Sequence, residues 1–392
     1  MKLIPYARQW LDDDDRKAVD AVLSSDWLTQ GPSLKQFEDA LCGYTGAKYA
    51  VAVANGTLAL HLAMVALGLG KGDKVLTSPV TFAASANCAL YVGAKPGFVD
   101  IDDKTYHIDL GRLADYLKSP ARRKNVKAVV PVHFMGTVVD MKALHKICAQ
   151  YGIRIVEDAA HALGATYVDG KRYARIGSCR HSDLTIFSFH PIKHITTGEG
   201  GAVMTNDTKL YEALVRFRHH GIDRNPKAVS SFMKTFRNEP WFYDIPEAGF
   251  NFRLNDIQCA LGLSQLKKID AFVARRREMV ERYNTAFAAI SELRTPYEHP
   301  NTMAAYHLYV IRVPSSKRND LYLYLRDQGI ATQVNYIPLH LFSMYEKLGF
   351  KPGDFPVAER YFGECLSLPL YPLLSDEGHQ RIIDNVCQFF NT

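Results

Sequence analysis

The feature of the sequence that most constrains the fold is a regular alternation of short apolar segments with helical segments between residues 49 and 204. Three of the apolar segments, 74–78, 128–132 and 153–156, have the length and composition of buried strands. Segments with helical periodicity, such as 55–69, separate them. Short strands that alternate with helices are typical of βαβ units, in which helices cover both faces of a mostly parallel sheet. The sequence therefore predicts an α/β fold with a mostly parallel sheet.

A second, smaller domain is predicted because the pattern changes in the last third of the chain. There a long helical pattern, broken once, leads into a strand (306–313), a helix, a second strand (331–335) and a final helix. For a chain of 392 residues, one large and one small domain are the natural expectation. We predict a large domain at 12–255 and a small α+β C-terminal domain at 256–392. Residues 1–11 are predicted to pack near the active site.

Composition excludes several classes of protein. No apolar run approaches the roughly 20 residues that span a bilayer, and the N-terminal residues lack the order of a signal peptide. Both observations predict a cytoplasmic protein. The seven cysteines are scattered singly, which indicates reduced thiols, and the histidines lack the spacing of a metal site. The net charge of +6 comes from dispersed basic residues, so we predict neither nucleic acid nor membrane as a partner.

Asn55, Gly56 and Thr57 open a predicted helix directly after a strand-like segment. A Gly-Thr step at this place exposes free backbone N–H groups and a hydroxyl at the positive end of a helix dipole. Such a helix start can bind a phosphate group. A simple N-cap has the same sequence pattern, so these three residues alone leave both interpretations open.

Glu157 and Asp158 stand at the carboxyl end of a predicted buried strand and are followed by His161. In open parallel sheets, ligands bind at this end of the strands. A carboxylate held there can pair with a protonated ring nitrogen, as a pyridine cofactor requires when it acts as an electron sink. An acidic helix start would also account for Asp158, so this alternative stays open.

The segment 187–201 carries the most specific signal. Lys193 lies there in a polar loop between two apolar strands, with Ser188 five residues before it and glycines after it. Lysine becomes a nucleophile when burial or a nearby cation lowers its pKa from about 10.4. A lone lysine is usually a solvated surface charge, but the whole segment is far more specific than its lysine.

Taken together and in order, these segments resemble the DegT/DnrJ/EryC1/StrS aminotransferase family, and the resemblance covers nearly the full chain. The matching motifs are Asn-Gly-Thr at 55–57, Glu-Asp-Ala-Ala-His at 157–161, the run 188–201 and Gly-Phe-Asn-Phe-Arg at 249–253. The resemblance implies the fold-type-I architecture of aspartate aminotransferase. It also implies a large cofactor-binding domain, a small C-terminal domain and a homodimer with shared active sites.

The resemblance further implies that pyridoxal 5′-phosphate (PLP) is the cofactor. Lys193 would hold it as a Schiff base and later act as a base, and Asp158 would keep the pyridine nitrogen protonated. Phe82 would form an aromatic platform under the ring, with a plain core phenylalanine as the rival interpretation. His161 would orient the ring or merely pack beside it. The remaining cofactor contacts would come from Gly56, Thr57, Ser188 and, from a partner subunit, Asn251.

Within the family, the segments 28–31, 188–197 and 251–258 resemble aminotransferases of pseudaminic acid biosynthesis. This resemblance implies that the chain transfers the amino group of L-glutamate to C4 of a UDP-linked 4-keto-6-deoxy-N-acetylhexosamine. Asn335 stands where we would expect histidine, so the sequence departs from the family in the sugar-binding region. The residues that would contact the sugar nucleotide are Tyr6, Asp26, Trp27, Leu28, Thr29, Gln333, Val334, Asn335 and Tyr336.

Several other functions stay open at this point. The substrate could be another nucleotide 4-keto sugar, of the perosamine, bacillosamine or 4-amino-arabinose type. A PLP-dependent sugar 3-dehydratase would carry histidine in place of Lys193. A non-catalytic PLP-binding regulator would usually lack this lysine or carry an added DNA-binding domain. A nicotinamide-dependent dehydrogenase follows from the fold alone, but the GxGxxG motif that it needs is missing.

Overall fold

The computed structural model describes residues 3–224, 226 and 229–391. Met1 and Lys2, at the start of the segment predicted to pack near the active site, lie outside the described residues. The strands are β1 (Tyr49–Val53), β2 (Lys74–Thr77), β3 (Lys95–Phe98), β4 (Val126–Val130), β5 (Arg154–Asp158), β6 (Thr166–Asp169), β7 (Arg172–Arg175), β8 (Leu184–Ser188), β9 (Gly201–Thr205), β10 (Thr302–Met303), β11 (Tyr309–Arg312) and β12 (Cys365–Leu368).

The helices follow the apolar periodicity of the sequence closely. They are α1 (Asp13–Leu23), α2 (Pro32–Thr45), α3 (Gly56–Ala66), α4 (Ala84–Tyr91), α5 (Leu110–Lys118), α6 (Pro120–Arg123), α7 (Met141–Ala149), α8 (Thr208–Arg218), α9 (Asp256–Leu266), α10 (Ile269–Phe287), α11 (Ser315–Asp327), α12 (Ser343–Glu346), α13 (Pro356–Glu364) and α14 (Asp376–Asn391). Short 3-10 helices lie at Phe134–Gly136, Met233–Phe236 and Leu339–Leu341. Among the described residues, no helix combines the length and apolar character needed to cross a bilayer.

Seven strands form the central sheet, in the order β1-β9-β8-β5-β4-β2-β3. Parallel pairing joins β8, β5, β4, β2 and β3, whereas β9 runs antiparallel to both of its neighbours, β1 and β8. Strands β1, β8 and β9 are almost entirely buried, as expected for a sheet with helices on both faces. The prediction of an α/β fold with a mostly parallel sheet is confirmed.

The carboxyl ends of the parallel strands meet at one edge of this sheet. β5 ends there at Asp158, and the neighbouring strand β8 ends at Ser188. The loop after β2 leads through Thr81 and Phe82 into α4 at the same edge. Residues that are far apart in the sequence are therefore brought together at the place where open α/β sheets bind ligands.

The C-terminal region has an antiparallel sheet of its own, in which β11 pairs with β12. Its apolar core contains Tyr309 and Leu366 together with residues of α10, α11 and α14. Helix α9 packs differently, because its Cys259 and Leu266 share an apolar cluster with Phe37 of α2. The two domains at 12–255 and 256–392 stay a prediction.

The predicted strand at 331–335 is wrong. Gln333 makes an isolated bridge with Ser367, but the next residues leave the direction of the sheet. The polar groups of Asn335 are satisfied by side chains instead: Tyr361 Oη donates to its carbonyl oxygen at 2.7 Å, and Tyr6 Oη donates to its Oδ1 at 2.9 Å. The segment therefore contributes an isolated bridge and not a strand.

Candidate active site

A cavity of about 560 Å³ opens at the carboxyl edge of the central sheet. Larger surface grooves, of about 770 Å³ and about 1010 Å³, contain none of the predicted cofactor-binding residues. The predicted site residues that line the cavity are Tyr6, Gly56, Thr57, Phe82, Asp158, His161, Ser188, Lys193, Gln333, Asn335 and Tyr336. The fold therefore gathers most of the predicted site in one place.

The other predicted residues lie away from this cavity in the same chain. Asp26, Trp27, Leu28 and Thr29 lie in the turn between α1 and α2, where Trp27 lines the groove of about 770 Å³ and is 56% exposed. Val334 packs among apolar residues of the C-terminal region. Asn251 is exposed and pairs with His219. The roles predicted for these residues stay predictions.

Lys193 is held in a closed loop between β8 and β9. The base of the loop is fixed because the N–H of Phe189 donates to the carbonyl of Gly200 at 2.8 Å. Inside the loop, the N–H of Lys193 donates to the carbonyl of His190 at 2.8 Å. These bonds fix the backbone of the lysine at the edge of the sheet, so its side chain reaches into the cavity from a defined place.

The electrostatic environment changes the chemistry of this amine. Burial lowers the pKa of Lys193 to about 8, while Asp158 acts in the opposite direction and the Arg276 guanidinium adds to the lowering. A larger fraction of the amine is therefore neutral near physiological pH than for a solvated lysine. A neutral, desolvated amine is the form that attacks a carbonyl carbon or removes a proton.

Asp158 is oriented by a short chain of hydroxyl groups. Ser85 Oγ donates to Asp158 Oδ2 at 2.6 Å, and Ser85 Oγ and Thr81 Oγ1 share a hydrogen at 2.7 Å. The backbone N–H of Ala160 donates to Asp158 Oδ1 at 3.2 Å. Hydrogen bonds to both oxygens fix the orientation of this buried side chain at the edge of the sheet.

The start of α3 forms one end of the cavity. Asn55 caps the helix by accepting a hydrogen bond from Leu58 N–H at 2.9 Å, which leaves the hydroxyl of Thr57 and the first helical N–H groups at the cavity wall. Gly56 lies against Ser188, and a Cβ on Gly56 would stand 2.9 Å from Ser188 Cβ. The close approach of these two segments requires glycine at position 56.

Phe82 and His161 both line the cavity but differ in their exposure to solvent. Phe82 is 60% exposed although it lines the cavity, so it is not a core phenylalanine. His161 is buried, and burial together with the charge of Lys193 lowers its pKa well below the usual value. Its Nε2 lies 3.4 Å from Tyr336 Oη. The imidazole is therefore neutral and is held against the tyrosine.

The residues present fit PLP. The helix start with the hydroxyls of Thr57 and Ser188 suits a phosphate group. The fixed carboxylate of Asp158 suits the pyridine nitrogen, and the buried amine of Lys193 suits the aldehyde. The tight contact of Gly56 with Ser188 keeps the phosphate end of the cavity free of side chains.

Comparison with known proteins decides the family. Residues 9–387 match the model of the DegT/DnrJ/EryC1/StrS aminotransferase family. The chain belongs to this family. It is accordingly a PLP-dependent sugar aminotransferase of fold type I, as predicted. A nicotinamide-dependent dehydrogenase, which the fold alone left open, is excluded by this membership.

Relatives of this aminotransferase cover nearly its whole length. The spore coat polysaccharide biosynthesis protein SpsC of Bacillus subtilis is 39% identical over 389 residues, which are 98% of this chain and 96% of the relative. A UDP-4-amino-4,6-dideoxy-N-acetyl-beta-L-altrosamine transaminase of Campylobacter jejuni is 38% identical over 374 residues, or 94% of this chain and 93% of that protein. Both chains are therefore similar to this aminotransferase from one end to the other.

Solved structures agree with these relatives. The putative sugar aminotransferase Spr1654 of Streptococcus pneumoniae, in its PMP form, is 30% identical with a TM-score of 0.88, and the match covers 99% of each chain. PseC of Helicobacter pylori, an aminotransferase involved in the biosynthesis of pseudoaminic acid, is 31% identical with a TM-score of 0.88, and the match covers 100% of each chain. The PLP and PMP forms of the streptococcal protein agree with PLP as the cofactor of the aminotransferase described here.

Two residues that contact the predicted catalytic residues were not predicted from the sequence. Ser85, which orients Asp158, follows Phe82 at a spacing of three residues, but a serine in an apolar helix start carries no signal of its own. His307, whose Nε2 lies 3.5 Å from Lys193 Nζ, falls inside a segment that was predicted as a strand. No local pattern in the sequence shows that it reaches the lysine.

Proposed function

We propose that this aminotransferase moves the amino group of L-glutamate to C4 of a UDP-linked 4-keto-6-deoxy-N-acetylhexosamine. The product would be UDP-4-amino-4,6-dideoxy-N-acetyl-β-L-altrosamine, an intermediate of pseudaminic acid biosynthesis, formed in the cytoplasm. The observation that carries the proposal is the 38% identity over 374 residues to the Campylobacter jejuni transaminase named for this compound. The full-length likeness to PseC of Helicobacter pylori supports it.

The geometry around Lys193 supports the chemistry of amino transfer. When bound, PLP supplies an electrophilic aldehyde and a ring that stabilises negative charge on the reacting carbon. Lys193 Nζ, with its pKa lowered to about 8, is the base that removes the proton from Cα of the amino donor.

Asp158 and the start of α3 would hold the two ends of the cofactor. The Asp158 carboxylate, fixed by Ser85 at 2.6 Å, favours a protonated pyridine nitrogen, because an adjacent negative charge raises the proton affinity of that nitrogen. Thr57, Ser188 and the helix N–H groups of Gly56 would bind the phosphate. Phe82 is exposed enough to lie against the ring rather than in the core.

The sugar would lie against the wall formed by Tyr6 and the segment from Gln333 to Tyr336. Tyr6 and Asn335 are joined by a hydrogen bond of 2.9 Å, so the N-terminal segment and the C-terminal region build this wall together. A site that hydrogen-bonds one hydroxyl epimer leaves its own polar groups unpaired with the other epimer. The identity of residue 335 therefore bears directly on which hexose is accepted.

The experiment that tests the proposal compares kcat/KM for sugar nucleotides with L-glutamate as donor. The panel contains the UDP-linked L-arabino and D-xylo 4-keto sugars and GDP- and dTDP-linked 4-keto sugars. We expect a clear preference for the L-arabino compound, with Lys193→Ala as the inactive control. A preference for the D-xylo compound or for another nucleotide would contradict the proposal and leave the aminotransferase activity itself in place.

A second candidate is an aminotransferase for a different nucleotide 4-keto sugar, of the perosamine, bacillosamine or 4-amino-arabinose type. The observation that favours it is Asn335, which replaces an expected histidine in the sugar wall. Asn335→His separates the two candidates. If the wall of this aminotransferase is built for the L-arabino sugar, the substitution should lower kcat/KM for it. A gain for that sugar would instead indicate that Asn335 selects another one.

A further inference from the structure

Lys193 is enclosed by groups that can carry positive charge. His161, His194, His307 and Arg276 are all buried, with exposures of 4%, 3%, 4% and 2%. The titratable and charged groups that face this region from the surrounding elements are Asp158 of β5, His161, His194, His307, Arg276 of α10, Tyr336 and, on the cavity wall, Tyr6, His190 and Glu199. Amino transfer requires Lys193 as a free amine for part of each cycle. During that time the surrounding side chains determine the position of Nζ.

His307 is the histidine that contacts the lysine. Its Nε2 lies 3.5 Å from Lys193 Nζ. His194 uses its Nε2 to reach the carbonyl of Ala305 at 3.1 Å, and His161 Nε2 lies beside Tyr336 Oη. A neutral imidazole nitrogen can accept a hydrogen from an ammonium, and an N–H can donate to a neutral amine. Contact with His307 is thus compatible with both protonation states of Lys193.

The backbone around His307 is fixed from one side by a glycine. Gly136 has a φ of +91°, and a Cβ there would stand 2.8 Å from the nitrogen of His307 and 2.6 Å from the carbonyl oxygen of His161. The N–H of Ala305 donates to the Gly136 carbonyl at 3.0 Å, and the N–H of Leu308 donates to the Met135 carbonyl at 3.2 Å. The segment that carries His307 is therefore packed closely against the backbone of Gly136, which also touches His161 in the loop after β5.

Arg276 holds the same segment from the other side. Its Nη1 donates to the carbonyls of Tyr306 and His307 at 3.3 Å each and to the carbonyl of Leu370 at 2.8 Å. All of these acceptors are neutral, so the guanidinium charge is not cancelled by a hydrogen-bonded carboxylate. Burial, the charge of Lys193 and the nearby cation hold the pKa of His307 well below its usual value, and the imidazole stays neutral.

We propose that His307 is a positioning residue for Lys193. Its Nε2 holds Nζ, whenever that nitrogen is not bonded to the cofactor, at the place from which it exchanges a proton with the donor, and Arg276 fixes the segment of His307 and places a positive charge near Nζ. The inference rests on the role of Lys193 given under the proposed function. It does not depend on which sugar nucleotide is the substrate.

The test begins with the identity of the lysine. Borohydride reduction of the holoenzyme followed by peptide mapping should place the pyridoxyl group on Lys193. Its appearance on another lysine would overturn both the assignment and this inference. If the pyridoxyl group is found on Lys193, the assignment of the lysine holds. The measurements that follow can then still contradict the inference about His307.

The first readout is the proton affinity of the amine in the full-length protein without cofactor. Trace labelling with acetic anhydride over a range of pH, read by mass spectrometry of the peptide with Lys193, gives the midpoint of its titration. His307→Phe removes an acceptor of the ammonium hydrogen and should move this midpoint to lower pH. His307→Asn keeps an acceptor oxygen and should bring the midpoint most of the way back to that of the wild type. His194→Phe changes an equally buried histidine that does not contact Nζ and should move it least.

The second readout is the single-turnover rate of the holoenzyme with L-glutamate. A misplaced reacting group costs roughly a hundredfold, so His307→Phe should slow the reaction by about that factor, and His307→Asn should recover at least about a tenth of the wild-type rate. If His307→Phe does not fold, His307→Ala asks the same question by removing atoms only. Equal losses in the His307 and His194 variants, or wild-type values for both readouts in His307→Phe, would overturn the proposal.

Arg276 is tested by a matched pair of substitutions with the same labelling readout. Arg276→Met removes the charge and should move the midpoint of Lys193 to higher pH, whereas Arg276→Lys keeps the charge and should leave the midpoint near that of the wild type. The shifts expected for Arg276→Met and His307→Phe have opposite signs, which general loosening of the fold would not produce. A shift to lower pH in Arg276→Met would contradict the role assigned to the guanidinium.

Discussion

Lys193 shows how one residue gains its reactivity from burial. In the unfolded chain its amine has the ordinary lysine pKa of 10.5, and in the folded protein burial lowers this value to about 8. Below pH 8 the amine is charged in both states, and the folded state bears the cost of a desolvated cation. Above pH 10.5 it is neutral in both states and that cost is gone. Stability should therefore rise with pH between these values.

This linkage gives a prediction for the protein without cofactor. Relative to Lys193→Met, the free energy of unfolding of the wild type should rise by up to about 3 kcal/mol as the pH goes from 8 to 10.5, because each unit of pKa shift corresponds to about 1.4 kcal/mol. Urea unfolding of both proteins at matched concentration and several pH values measures the difference. A difference that stays constant over this range would show that the lysine is solvated.

Asp158 and Ser85 are predicted to act as a pair. Asp158→Asn removes the charge at nearly constant size and should lower the single-turnover rate with L-glutamate roughly a thousandfold. Ser85→Ala removes one hydrogen bond to Oδ2 and should cost about tenfold. Ser182→Ala is the matched control, because Ser182 donates to the buried Glu157, which is not among the cavity-lining residues. Near-normal activity in Asp158→Asn would indicate that the side chain serves only to hold the turn after β5 through Ala160.

Where chemistry and position coincide, the sequence predicts which residues line the cavity. The roles of Lys193 and Asp158 stay predictions, but their place at the cavity could be predicted because a loop between strands and a strand end are the places where reactive groups collect. Ser85 and His307 could not, because each acts through another side chain. The two contacts join residues that are 73 and 114 positions apart, and contacts at such separations leave no local pattern.

At the scale of elements, the sequence predicts buried strands and amphipathic helices better than exposed hairpins. The central strands agree with prediction to within one or two residues at most ends, since each is a short apolar run. The hairpin of β6 and β7 was not predicted, because its residues are mostly polar or half-exposed. The predicted strand at 331–335 is reduced to an isolated bridge between Gln333 and Ser367, and Asn335 bonds to the hydroxyls of Tyr6 and Tyr361.

The start of α3 gives a prediction for a whole element. Gly56→Ala would place a Cβ 2.9 Å from Ser188 Cβ, so either α3 or β8 must move and the phosphate end of the cavity changes shape. The affinity for PLP, measured by fluorescence titration of the protein without cofactor, should fall by about tenfold or more. Gly43→Ala is the matched control, because Gly43 also lies in a helix and a Cβ there meets nothing within 4 Å. Equal affinities in the two variants would contradict this account of Gly56.

On the scale of the whole molecule, the cavity draws residues from both ends of the chain. Tyr6 comes from the N-terminal segment and Asn335 from the C-terminal region. We propose that α10 connects two domains, because its first turn packs with Phe37 and its later turns pack with Tyr309. A domain boundary inside a continuous helix cannot be read from sequence, since helical periodicity continues across it.

The proposed homodimer gives a prediction that involves two subunits. Asn251 is exposed and lies outside the cavity of its own chain, which suits a residue that reaches a neighbouring site. Mixing inactive Lys193→Ala with inactive Asn251→Ala protein should restore activity, up to about a quarter of the wild-type level per site, because some mixed dimers contain one site with both residues intact. Subunit exchange is monitored by mass spectrometry, and full exchange without recovery would contradict a shared site.

The division of labour inside the cavity has an evolutionary consequence. The groups proposed to bind PLP stand on the edge of the central sheet, whereas those proposed to meet the sugar stand on Tyr6 and on residues 333–336. The residues proposed to meet the sugar can be substituted without disturbing those proposed to bind PLP. Relatives can therefore share the reaction and differ in the hexose that they prefer. Replacing residues 333–336 by those of a relative is therefore expected to change the accepted hexose and leave the binding of PLP intact.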